Sequence, residues 1–180
     1  MRDGAVIEAW QCELVEPSHP VLHSTATVNP FGTGIDWDAR EKEMFELMHL
    51  KLGIGLAATQ IGSRHNMFVM QHRELGDIGI YNPMVLETSG AVMITEGCLS
   101  WPMLYLSINR PASIKVSWTK NDGVTNVEMR MDGIDARCFL HEVDHLKGIN
   151  FIDGVSEFQL KRAKEKREKI LKKISRVSKK

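Results

Sequence analysis

Residues 138–148 read Cys138-Phe139-Leu140-His141-Glu142-Val143-Asp144-His145-Leu146-Lys147-Gly148, and the rest of the chain is best read outward from this stretch. Lys147 and Gly148 form a helix end, a basic last residue followed by a C′ glycine. The spacing predicts a helix over roughly 134–147. On it His141 and His145 stand one turn apart on one face, so both imidazoles can reach a single metal ion. Glu142 sits beside them and can serve as general base to a water at that ion. Phe139, Leu140, Val143 and Leu146 are apolar. A solvated helix with two chance histidines would not need those apolar flanks.

A catalytic site of this type takes three protein ligands and keeps one position open. Phe151 stands where the extended zinc-protease pattern requires a third histidine, so that pattern fails and the third ligand lies elsewhere. Two cysteines compete for it. Cys138 is one turn from His141 but seven residues from His145, ~10.5 Å of helix rise, too far for one ion to hold all three. It reads as a pocket-lining or core residue. Cys98, in Glu96-Gly97-Cys98-Leu99-Ser100, is the better candidate, because Gly97 and Ser100 let the backbone turn and aim a thiolate.

A third patch is Gly53-Ile54-Gly55-Leu56-Ala57-Ala58-Thr59-Gln60-Ile61-Gly62. Gly53, Gly55 and Ala58 fit the spacing of a dinucleotide fingerprint, but that motif needs a strand before it and a helix after. Here the order is reversed. The small residues suggest a backbone pressed against a ligand or another segment, and the Gln60 amide can donate to an oxyanion.

Around these patches the predicted elements are a helix near 38–51, capped by Asp36-Trp37-Asp38 and stopped at Gly53 and Gly55, then strands at 67–71, 78–81, within 91–95, at 113–118 and at 125–131. Asn121-Asp122-Gly123 marks a hairpin turn between the last two. Ser156 with Gln159 forms a capping box for a helix through about 174, with Ala163, Ile170, Ile174 and Val177 on one side. Residues 1–35 read as extended chain and loop. The order of helix, several strands, helix and helix predicts an α+β fold: antiparallel sheets around a central metal-binding helix, with an N-terminal helix and a basic C-terminal helix over 156–176.

The chain has 180 residues, 43% of them hydrophobic and 26% charged, which predicts one globular domain over 1–180 and excludes a disordered protein. No apolar run approaches the ~18 residues of a membrane span. Met1-Arg2-Asp3-Gly4-Ala5-Val6 has no apolar core of a signal peptide, so a cytoplasmic setting with reduced cysteines is expected. Net charge is zero, yet residues 161–180 hold eleven Lys/Arg against two Glu. The remaining 160 residues are correspondingly acidic.

The three patches together resemble the three signature motifs of peptide deformylases, in that family's order and at similar spacing. The likeness extends more loosely from about residue 20 to about 172. It includes Asp135-Ala136-Arg137 before the histidine helix and Phe151-Ile152-Asp153 after it. The resemblance implies a metal-dependent hydrolase that removes the N-formyl group from the initiator methionine of nascent chains and releases formate. It implies Cys98, His141 and His145 as ligands of one divalent ion, Fe2+ natively, with Zn2+, Ni2+ or Co2+ able to replace it. Glu142 would be the acid/base, and Gln60 with the Leu99 N–H would hold the oxyanion. Ile54 and Gly55 would pair with the substrate backbone, while Ile94, Ile134 and Cys138 would line the methionine pocket. Glu96, Arg110 and Asp144 would be charges behind the ligands.

The chain departs from the family at Leu140, where Gln is common, at Trp101, where a small aliphatic residue is usual, and at Met103-Leu104-Tyr105-Leu106, which replaces a more polar stretch and puts Tyr105 where an Arg often contacts substrate. None of these removes a catalytic group. The expected partners are the formylmethionyl peptide and, through the basic helix, the ribosome. A monomer without membrane contact is expected, and a chain cut after Phe158 is expected to keep its activity on short peptides. The competing readings are another hydrolase with the same histidine helix, such as an endopeptidase, and an inactive binding module.

Overall fold

The computed structural model describes residues 12–177. In chain order its elements are α1 (Trp37–Leu50), β1 (Gly55–Ala57), β2 (Met67–His72), β3 (Gly76–Ser89), β4 (Val92–Cys98), β5 (Trp101–Arg110), β6 (Ser113–Thr119), β7 (Asn126–Asp132), α2 (Gly133–Leu146) and α3 (Glu157–Val177). Short 3-10 turns lie at Pro20–His23, Ala58–Ile61 and Phe151–Gly154. The fold is mixed α+β, with antiparallel sheets and three helices. Five strands form one sheet in the order β1-β2-β3-β6-β7, and β4 and β5 form a second, two-stranded sheet. The chain leaves the large sheet at Ser89, runs out and back as β4 and β5, and rejoins at Ser113, the residue paired with Ser89.

The sequence Met67-Phe68-Val69-Met70 is a continuous apolar run, and the fold explains why. Successive strand residues face opposite sides. Met67 and Val69 join a cluster with Trp37, Met44 and Met48 of α1. Phe68 and Met70 join another with Phe139, Val143 and Leu146 of α2. β2 is thus covered on both faces, one helix on each. A third cluster holds Leu104, Leu106 and Ile108 of β5 with Phe151, and Leu160 and Ala163 of α3 pack against it.

Helix ends follow local chemistry. Asp36 caps α1, its carboxylate accepting from Ala39 N at 3.1 Å. The stop at the other end differs from the expectation. The left-handed residue is not glycine but Leu52, at φ 58°. Leu52 N donates to His49 O and Gly53 N to Met48 O, both at 2.9 Å, which closes the helix in a Schellman motif. α2 ends as predicted at Gly148, φ 72°, where a Cβ would strike the backbone of His23 and Ser24. α3 starts in the predicted box, with Gln159 N donating to Ser156 Oγ at 3.3 Å and Ser156 N to Gln159 Oε1 at 3.2 Å.

Three further differences stand out. β3 runs 14 residues instead of four. β5 was not predicted, although Leu104, Leu106 and Ile108 are buried and Tyr105, Ser107 and Asn109 exposed in strict alternation. Pro102, and Met103 at φ 63°, disguise its start. On α3, Ala163 and Ile170 are half-buried as expected, but Ile174 is exposed. Because Leu160 and Ala163 support β5, the first half of α3 belongs to the body of the fold, and a cut after Phe158 would uncover an apolar cluster. The expectation that such a cut is harmless is therefore withdrawn.

Candidate functional site

Cys98 ends β4, while His141 and His145 lie on the buried face of α2. Ligand atoms of these three side chains lie within 4.8 Å of one another. Cys98 Sγ is 3.1 Å from His145 Nε2, and the two imidazoles stand edge to face with centroids 5.0 Å apart. Glu96 and Cys98 are two apart on β4, so both reach toward the helix. The pairing slips between Gly97 and Cys98, a bulge of the kind that re-aims side chains beside active sites.

Glu96 anchors the arrangement. Its Oε2 lies 2.9 Å from His141 Nδ1, which leaves Nε2 of that ring for the site. It also accepts from Arg110 Nε at 2.7 Å, Arg110 Nη2 at 3.1 Å and Arg137 Nη1 at 2.7 Å. Arg110 donates onward to Asp144 Oδ2 at 2.5 Å. Burial opposes the charge on Glu96, yet the bonds from His141, Arg110 and Arg137 win and hold it down at about 2. Arg137 was left without a role by sequence reasoning. It also donates to Ile108 O at 2.9 Å and Val92 O at 2.7 Å, clamping the base of the β4–β5 hairpin to α2. The available signal was an arginine between Ala136 and Cys138 on a helix flank that must be buried, where a guanidinium requires acceptors.

Glu142 is 3% exposed, and its Oε2 has no hydrogen-bond partner. Burial pushes its carboxyl up to about 7, with His141 and Arg110 pulling the other way. Burial, and then the neighbouring His141, pushes His145 well below the ordinary imidazole range. Gln60 sits in the turn after β1. Its Oε1 accepts from Ala57 N at 2.8 Å, which aims Nε2 at Ser100 Oγ, 3.1 Å away, and at Cys98 Sγ, 3.5 Å away. Thr59 Oγ1 ties the same turn to α2 through His145 O at 3.2 Å.

Cys138 donates to Ile54 O at 3.2 Å, and burial pushes its thiol well up. Gln71 N donates to the same carbonyl at 2.9 Å. Backbone alternation then turns the polar groups of Gly55 toward the open edge of β1, the outermost strand of its sheet. A Cβ on Gly55 would fall against the Glu142 carboxylate and 2.7 Å from Cys138 Sγ, so only glycine fits there.

These groups border a cavity of about 500 Å³. Ile94 is half-buried in its wall, Ile54 and Ile134 are exposed at its rim, and Leu99 follows the cysteine. Every ligand, catalytic and substrate residue named from the sequence borders this cavity except His145, which is buried against Cys98; of the charges behind them Glu96 borders it, and Arg110 and Asp144 do not. Trp101, Pro102, Met103 and Leu104 form a further stretch of the lining; the sequence marks Trp101, Met103 and Leu104 as departures from the family and leaves Pro102 unremarked. The donor set suits a metal ion: one thiol and two imidazoles match the softer divalent ions, and the Glu96 and Glu142 carboxylates beside them favour positive charge.

The family model for polypeptide deformylase matches residues 12–161. A peptide deformylase of Hydrogenovibrio crunogenus is 39% identical over 126 residues, covering 69% of this chain and 74% of that protein. A peptide deformylase of Aquifex aeolicus is 36% identical over 136 residues, covering 73% and 80%. Among solved structures, a peptide deformylase of Legionella pneumophila superposes with a TM-score of 0.80 at 28% identity, over 91% of this chain and 97% of that one. The match spans all three patches and the sheets that carry them, and the chain belongs to the polypeptide deformylase family.

Proposed function

We propose that the chain, working as a single catalytic domain, removes the formyl group from the initiator methionine of nascent polypeptides. The observation that carries this reading is the convergence of Cys98, His141 and His145 within 4.8 Å, beside the Glu142 carboxylate, whose Oε2 has no hydrogen-bond partner, at a cavity wall. In this reading the sheets surround a metal-binding helix, α2. A divalent ion held by Cys98, His141 and His145 would supply a Lewis acid that polarises the formyl carbonyl and helps water ionise near neutral pH. The thiolate donor favours a softer ion. We propose Fe2+ as the native metal, with Zn2+, Ni2+ or Co2+ able to stand in.

The protein's own groups do the rest. The substrate backbone adds to the open edge of β1 at Ile54 and Gly55, as an extended peptide joins a sheet. The methionine side chain enters the apolar recess of Ile94, Ile134 and Cys138. Glu142 takes the proton of the attacking water and returns it to the leaving amino nitrogen. Its raised pKa suits both duties near neutrality. Gln60 Nε2 and the Leu99 N–H donate to the formyl oxygen as charge develops there, each worth about 3 kcal/mol.

No helix among the described residues is long and apolar enough to cross a membrane. We place the enzyme in the cytoplasm, as a monomer, where formylated chains emerge. The basic face of α3 is the surface proposed to meet the phosphate-rich ribosome.

The test is formate release from a formyl-Met tripeptide by protein prepared without oxygen, with its metal content measured alongside. Cleavage of internal peptide bonds without formate would favour the endopeptidase reading instead.

A further inference from the structure

Arg167 lies on the most strongly charged helix of the chain, yet it is half-buried and does not reach for an acid. Its Nε donates to the backbone carbonyl of Pro102 at 2.7 Å, 65 positions back in sequence. Pro102 belongs to the stretch Trp101, Pro102, Met103 and Leu104, which lines the same cavity as the catalytic groups. The next residue, Met103, is held at φ 63°, a conformation that an unbranched L-residue leaves unless something holds it. Behind the wall, Leu160 and Ala163 of α3 pack on the β5 cluster. His141, His145 and Glu142 sit on α2, with His141 held by Glu96 and its two arginines, while Cys98 pairs with Trp101 at the start of the wall.

We propose that Arg167 is a positioning residue for substrate binding: from α3 it fixes the Pro102–Met103 turn, and with it the Trp101–Leu104 wall of the cavity. The inference rests on the reading of this cavity as the peptide site. Loss of the bond frees Pro102 and Met103 of the lining, while the Cys98–His145, His141–Glu96 and Gln60–Ser100 contacts that hold the catalytic groups do not involve it. It therefore acts on KM more than on kcat. It also joins the proposed ribosome-facing helix directly to the substrate cavity.

The experiment compares wild type, R167L and R167K as full-length, metal-loaded proteins on a formyl-Met tripeptide. Leucine keeps an apolar stem but cannot donate, whereas lysine can still donate to Pro102 O. In R167L, KM should rise ~3- to 10-fold, the scale of one hydrogen bond, with kcat little changed. R167K should recover most of that loss. Amide hydrogen exchange at Met103 and Leu104 should quicken in R167L and not in R167K. Equal KM in all three proteins, or unchanged exchange in R167L, would overturn the proposal while leaving the deformylase reading intact. Absence of formate release by wild type would overturn that reading, and the proposal with it.

Discussion

Glu96 and His141 are 45 residues apart in sequence, yet a carboxylate oxygen of one lies 2.9 Å from Nδ1 of the other. That contact sets which ring nitrogen faces the cavity. It also binds the β4–β5 hairpin, which carries Cys98, to the helix that carries both histidines. The hairpin and α2 share no strand ladder, so this contact and the two arginines on Glu96 define the distance between thiol and imidazoles. A shared carboxylate of this kind orients a ligand and raises its basicity.

Glu142→Ala should retain the metal and lose turnover. The carboxylate is not among the three converging ligand groups, and acid/base assistance is typically worth ~10²- to 10⁴-fold. Metal analysis and formate release on one preparation test this, and near-normal turnover would remove Glu142 from the role.

Cys98→Ser should weaken metal retention and abolish most activity, because its sulfur lies 3.1 Å from His145 Nε2. Cys138→Ser should keep the metal, since its thiol donates to Ile54 O, and a hydroxyl can do the same. Metal loss to a chelator, timed for both variants, decides between them. Faster loss from the Cys138 variant would mean the ligand has been misassigned.

Gly55→Ala adds one methyl group where Glu142 and Cys138 already stand. The overpacking should cost ~1–3 kcal/mol of stability and displace the Glu142 carboxylate, so activity falls further than stability does. Thermal unfolding and turnover measured together test this. A fully active variant would show that the cradle opens freely.

A chain cut after Ile170 keeps Leu160, Ala163 and Arg167 but sheds five of the eleven basic residues counted from 161 onward. It should release formate from a short peptide at the full-length rate and co-sediment less with ribosomes at low salt. Full-length binding should fall steeply as salt rises. Equal co-sedimentation of both chains would leave the helix face merely solvated.

Much of this was legible where the signal is local. His141 and His145 are one turn apart, so any helix brings them together, and the Ser156 box and the Gly148 stop depend on neighbours within a few residues. β5 was hidden because its first residues, Pro102 and Met103, contradict a strand, although its later alternation is regular. Leu52 could not be anticipated as the left-handed residue of α1, because two glycines beside it offered a lower-energy place for that turn. Arg137 and Arg167 act on backbone carbonyls of distant segments, and no pattern in their own surroundings names those carbonyls. The double burial of β2 was visible only as an unbroken apolar run, which does not say what covers either face.

The large sheet closes behind the β4–β5 hairpin, with Ser89 paired to Ser113 as if the intervening residues were absent. The hairpin is therefore an excursion whose register is independent of the strands in that sheet, and its tip carries Cys98 and Leu99. Arg137 fastens its base at Val92 O and Ile108 O, so the thiol at the tip is indexed to α2 and not to the large sheet. Substitutions that shift strands within the large sheet can in this way be absorbed without moving the thiol relative to the two histidines, which lie on the helix that carries Arg137.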